Sequence, residues 1–243
     1  PLAKDPAVAF LEVQNETGLL FWTFDPAKMV PQTRKLIEEA FADWAAKKYG
    51  SLEAAIEAWG PAKAPKAQSV DMPGEGRLGL YNAGLLTSMS WAPANRNPKR
   101  AGDQLQFMVE HQKRFYEETI KRLRDETGIE SLIACSNWKT ADPKTLGVLE
   151  RYTYTEGDVI CRNVYYSVEH KPKARLFYAV SKGDTFRGVS ALKAPAMPSP
   201  LTIGHVNDYP YMITENAWTQ PNRFRTEWPF LVATYGSMMG VDG

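Results

Sequence analysis

Short apolar runs rich in β-formers recur near residues 8, 131, 158 and 209, each ending in polar residues and each separated from the next by segments of helical periodicity. This alternation constrains the fold more than any other feature, because strand–helix–strand repeats form parallel βαβ units with right-handed crossovers. The first run, residues 7–22, reads AVAFLEVQNETGLLFW. Val8, Phe10, Leu11 and Val13 are too few for a helix and predict a buried strand that ends at Glu16. Alternation along that strand places Phe10, Glu12, Gln14 and Glu16 on one face. Parallel α/β barrels carry their catalytic groups at the C-terminal strand ends, and a carboxylate buried there is costly unless it is hydrogen-bonded or chemically engaged. Glu12 shares the parity of Glu16 and is expected to be a buried partner of a Lys or Arg.

The rest of the chain repeats the unit. Leu36, Ile37, Ala40, Phe41, Trp44 and Ala45 recur at helical spacing up to Gly50, and Ser51 is placed to cap a second helix running to Trp59. A proline-rich insertion follows at about 60–101, in which Tyr81 and Trp91 are candidate cleft residues. Asp103 and Gln106 resemble a capping box at the start of the longest helix, whose apolar stripe stops at Gly128. The second strand, 131–136, delivers Asn137 and Trp138 to its C-terminal end. Pro143 opens another helix, and the third strand, 158–166, sets Cys161, Asn163 and Tyr165 on one face. Residues 167–204 read as an inserted lid built on a hairpin of 174–180 with 185–190. Tyr211, Met212 and Ile213 form a fourth strand stopping at Thr214 and Glu215, a helix starts at Pro221, and the closing GVDG begins a fifth strand. The expectation is one α/β domain over residues 1–243, a (β/α)8 TIM barrel truncated at both ends, with five of the eight strands of a closed barrel and the lid before the seventh.

Charge and motif content narrow the function. Lys and Arg number 29 against 28 Asp and Glu, with no basic stripe, which excludes strong attraction to nucleic acid or to an anionic membrane and favours a neutral substrate. No apolar run reaches the length of a membrane span. Cys135 and Cys161 lie in apolar runs and are expected as buried free thiols. The three histidines, His111, His170 and His205, form no HExxH and meet no paired Cys spacing, so no metal is expected. Neither GxSxG, a phosphate loop nor a dinucleotide fingerprint occurs, so no cofactor is expected. The compartment is not set; a polysaccharide substrate would point to a secreted or periplasmic protein.

Two glutamates at strand ends, Glu16 and Glu215, each followed by aromatics, supply what glycoside cleavage needs. One carboxyl must protonate the leaving oxygen and the other must meet the oxocarbenium-like centre, and retaining enzymes hold the pair about 5–5.5 Å apart. VQNETG at 13–18 and MITENAW at 212–218 resemble the motifs that end strands four and seven in the retaining glycoside hydrolases of clan A, and FADWAAKKYGSLEAAIEAWG is similar to the segment after strand four in β-galactosidase-like members. The resemblance implies a (β/α)8 barrel, with Glu16 as acid/base, Glu215 as nucleophile and Asn15 as donor to the sugar 2-hydroxyl. It also implies that Asn163 and Tyr165 are polar and aromatic partners of the nucleophile, although many members carry His there. Asn137, Trp138, His205 and Trp218 are further candidates for contact with an oligo- or polysaccharide; each Trp has a core aromatic as its other reading, and His205 a plain loop histidine. The rival functions are a carbohydrate-binding barrel without turnover, an inactive fragment, and a lysine-dependent lyase or aldolase. The last is disfavoured because no Lys ends a predicted strand.

Overall fold

The computed structural model describes residues 2–60, 71–87, 97–166, 168–171, 180–193 and 204–243. They belong to two compact units, Pro1–Gly157 and Asp158–Gly243. The first contains, in order, β1 (Phe10–Glu12), α1 (Pro31–Tyr49), α2 (Leu52–Trp59), α3 (Ala83–Thr87), α4 (Pro98–Thr127), β2 (Leu132–Ala134) and α5 (Pro143–Tyr154). The second contains β3 (Ile160–Tyr166), β4 (Glu169–Lys171), β5 (Thr185–Arg187), β6 (Tyr211–Trp218), α6 (Glu227–Leu231) and α7 (Ser237–Met239), the last two joined through a π-helical turn, Val232–Gly236.

Strand pairing is parallel where the alternation demands it. β1 pairs with β2, Phe10 opposite Leu132 and Glu12 opposite Ala134. β3 pairs with β6 from Ile160 opposite Tyr211 to Tyr166 opposite Trp218. The last residues run beside β6 in the same sense, since the Asp242 amide donates to Tyr211 and the Ile213 amide to Gly243. β4 and β5 form an antiparallel pair. The second strand of the expected hairpin is therefore present and pairs with 169–171; its expected partner, 174–180, lies almost wholly outside the described residues.

The helices form where periodicity and capping coincide. α1 stops at Gly50, whose φ of 90° suits a residue without Cβ, and the Ser51 hydroxyl caps α2 by accepting from the Ala54 amide at 3.0 Å. α4 begins earlier than its sequence suggests. Asn97 caps it by accepting from the Arg100 amide at 3.1 Å with Pro98 in the first turn, and Asp103 lies inside the helix, not at its start. The helical run near the C-terminus begins at Glu227 instead of Pro221, and β6 continues past Glu215 to Trp218.

Burial explains α1, α2 and α4. Phe41 of α1 stacks on Trp59 of α2, with centroids 5.8 Å apart, and packs on Phe107 of α4 at 5.2 Å. Asp103 of α4 enters this aromatic layer and accepts from Lys48 Nζ at 2.8 Å, Tyr49 Oη at 2.7 Å and Trp59 Nε1 at 2.7 Å. The layer holds further polar groups that are paired. Arg100 grips Asp71 through two 2.6 Å bonds, and the Gln104 amide exchanges two 2.8 Å bonds with the backbone of Tyr81. That exchange draws Tyr81 into the core at 0% exposure, so it lines no cleft; Trp91 lies outside the described residues. Cys135 and Cys161 are buried free thiols.

Candidate active site

β1 is shorter than its sequence implies. The strand ends at Glu12, and the next two amides, those of Val13 and Gln14, donate to the end of β2 and to the residue just past it, to Ala134 at 2.9 Å and Cys135 at 3.1 Å. In a regular strand successive amides point to opposite sides, so two in a row mark a bulged exit and the alternation does not carry through to Glu16. Gln14 accordingly reaches α4, where its Oε1 accepts from the Tyr116 hydroxyl at 2.9 Å. Glu16 then takes φ of 48°, in the left-handed region that a side chain disfavours. Backbone strain of this kind concentrates at functional sites.

Asn137, delivered by β2, organises the bend. It is 1% exposed; its Oδ1 accepts from the Glu16 amide at 3.0 Å, and its Nδ2 donates to Asn15 Oδ1 at 2.7 Å and Glu12 Oε2 at 2.8 Å. Glu12 thus has Asn137 as a hydrogen-bond partner. Asn15, Glu16 and Asn137 come together as one polar cluster at the C-terminal end of a parallel pair. Trp138, half-buried, follows immediately, edge-on to Phe21 at 6.0 Å and with Lys139 Nζ 5.0 Å from its ring centre. A cavity of about 320 Å³ adjoins the bend, lined by Gln14, Thr17, Leu19, Phe24, Gln112 and Phe115 among others. A larger cavity, about 610 Å³, lies between α1 and α4 beside Trp44 and His111; the described lining of neither cavity includes Glu16 or Glu215. The smaller one borders the strained bend.

In the second unit the bulge falls on β6. Register passes from Arg162 opposite Ile213 to Asn163 opposite Glu215, leaving Thr214 as the extra residue. Thr214 Oγ1 donates to Asn163 Oδ1 at 2.8 Å, and Asn163 is buried. The exposed Tyr165 turns its hydroxyl to Glu215 Oε2 and donates to it. Glu215, Asn163 and Tyr165 are therefore neighbours. Trp218 is packed between Tyr166 at 4.4 Å and Trp228 at 4.6 Å and is 4% exposed, a core position. His205 is exposed and lies against the Tyr211 ring at 4.5 Å.

Sequence reading missed Tyr116, Gln112 and Trp228. Tyr116 and Gln112 sit in the stripe of α4, where a polar group reads as an interruption; Trp228 Nε1 donates to Asn216 Oδ1, next to Glu215. Burial, with Glu150 nearby, pushes the Tyr116 phenol far up, so it remains a donor to Gln14 at any working pH. Among the described residues no three His, Cys, Asp or Glu side chains are grouped to hold a metal, and no helix is long and apolar enough to cross a membrane. Compared with protein-family models, curated proteins and solved structures, the chain matches none.

Proposed function

We propose that this chain carries the two carboxylates of a retaining β-glycosidase of the (β/α)8 barrel type, Glu16 from the motif that resembles the end of strand four and Glu215 from the one that resembles the end of strand seven. The observation that carries the reading is the hydrogen bond from Tyr165 to Glu215 beside the β6 bulge, because a nucleophilic carboxylate needs a donor that fixes one oxygen and leaves the other to attack. In the first step a Glu215 oxygen bonds to the anomeric carbon, the glycosidic C–O bond breaks, and Glu16 gives its proton to the leaving oxygen. In the second, water gives a proton to Glu16 and attacks the same carbon, and the Glu215 carboxylate departs. Asn15 holds the polar side of the sugar, with Trp138 as a stacking face; Asn137, expected as a sugar contact, is 1% exposed with its amide committed to Glu12, Asn15 and Glu16, and it holds Asn15 in place. Tyr165 and Asn163 fix the nucleophile, and exposed His205 is a contact for an oligo- or polysaccharide. Trp218, enclosed by aromatic neighbours, is left to packing.

The test is Glu16→Ala in the full-length protein, assayed on a series of aryl glycosides. Hydrolysis of substrates with poor leaving groups should fall by about 10²–10⁴-fold, the range a general acid contributes. Substrates with activated leaving groups should keep most of their first step, and azide should then speed turnover by capturing the glycosyl-enzyme as a β-glycosyl azide. A uniform loss across the series with no azide product would remove Glu16 from this role and favour a carbohydrate-binding protein.

A further inference from the structure

The backbone at Glu16 is strained and stands on a bulged exit, so something outside β1 must hold it. Three side chains do so. Tyr116 donates to Gln14 ahead of the glutamate, Asn137 accepts from Glu16 itself, and Gln112 Oε1 accepts from the Leu19 amide at 2.7 Å beyond it. Two of the three come from α4. Gln112 is in turn fixed, its Nε2 donating to Thr153 Oγ1 at 2.9 Å and to Glu150 Oε1 at 3.2 Å, while the Tyr154 hydroxyl donates to the same Glu150 oxygen at 2.7 Å. Gln112, Glu150, Thr153 and Tyr154 are each no more than 3% exposed. The chain has no slack at this cluster: a Cβ on Gly18 would lie 3.0 Å from Glu150 Oε1 and 3.1 Å from Gln112 Oε1.

We infer that Gln112 and Tyr116 of α4, backed by Glu150 and Tyr154 of α5, are positioning residues that set the bend carrying Glu16 in the geometry its proton transfer needs. The inference rests on the acid/base reading of Glu16. A buried amide and a phenol that merely filled the helix interface would have no reason to meet both flanks of a single half-buried bend. Proton transfer to a leaving oxygen is the step most sensitive to such placement, since an error of about 1 Å can lower a rate by about 100-fold.

Tyr116→Phe and Gln112→Leu test it in the full-length protein. Tyr116→Phe removes one oxygen and keeps the ring, so it folds even if Gln112→Leu, which strands the Leu19 amide and takes one donor from the Glu150 carboxylate, does not. Each variant should lower kcat on poor leaving groups by about 10–100-fold. Activated aryl glycosides should lose less than threefold, with KM little changed. Combined with Glu16→Ala, either change should add no further loss on the poor substrates, because there is no longer a proton donor to place. An equal fall across the leaving-group series, or losses that multiply in the double variants, would overturn the inference and leave these residues as packing only. Should Glu16→Ala itself give a uniform loss and no azide product, the acid/base reading fails and the inference falls with it, an outcome distinct from the first two.

Discussion

Glu215→Gln is expected to reduce turnover of every glycoside, activated or not, by on the order of 10⁴-fold or more, the scale associated with deleting a covalent nucleophile. Leaving-group chemistry should not soften the loss, since without Glu215 the first bond to the anomeric carbon does not form. The fold should be unaffected. Glu215 is exposed, glutamine has its shape, and the amide oxygen still accepts from Tyr165, so stability should change by no more than about 0.5 kcal/mol. A 2-deoxy-2-fluoro glycoside with a good leaving group gives the positive counterpart: it should trap the glycosyl-enzyme on the peptide spanning Tyr211–Trp218, and mass spectrometry of a digest reads the adduct. Wild-type rates in Glu215→Gln, or a label on another carboxylate, would end the assignment.

The largest effect on stability is expected from Asp103→Asn. The carboxylate accepts from three donors, Lys48, Tyr49 and Trp59, whereas an amide has a single oxygen and must turn its own N–H toward one of them. A buried donor without an acceptor and a charge without its partner together cost about 3 kcal/mol, or roughly 6–12 °C in the melting temperature of a unit this size. The pH dependence follows from the same contacts. Burial pushes the Asp103 carboxyl up, but hydrogen bonds from Lys48, Trp59 and Tyr49 outweigh it and hold the group below the usual aspartate range. A carboxyl depressed in the folded state stabilises fully above its unfolded pKa, near 3.9, and loses that contribution as pH falls through the lower folded value. Wild type and Asp103→Asn should therefore differ most near neutrality and converge in acid below about pH 4. Burial and the Asp103 carboxylate also push the Tyr49 phenol up to about 12, so the donor is intact throughout that range. Melting curves that differ by less than about 1 kcal/mol at neutral pH would show that the network contributes little.

The helices that could be read in advance are those whose signals are local. Gly50 and Ser51 mark the α1–α2 junction by backbone conformation and side-chain capping, which need no distant partner. α4 was misplaced because Asp103 and Gln106 have the spacing of a cap while Asp103 serves residues of α1 and α2; the true cap, Asn97 before Pro98, was an equally local signal that the proline-rich stretch hid. Parallel pairing followed from alternation, but the register did not, because bulges at the β1 exit and at Thr214 depend on contacts with β2 and β3. The same holds for the site. Asn15, Glu16, Glu215 and Tyr165 announce themselves by type and place. Gln112 and Tyr116 do not, since a polar residue on a buried helix face has meaning only once the loop it meets is known.

The left-handed backbone at Glu16 also bears on how such a sequence changes over time. Glycine reaches that conformation without strain and asparagine reaches it more easily than most, so either would relieve on the order of 1 kcal/mol at position 16. Selection for stability alone would favour losing the glutamate. If Glu16 is the acid/base proposed above, a lineage released from hydrolysis should drift toward glycine or asparagine at this position while keeping Asn137 and α4 as they are, and a glutamate retained there would record a demand made by chemistry against folding.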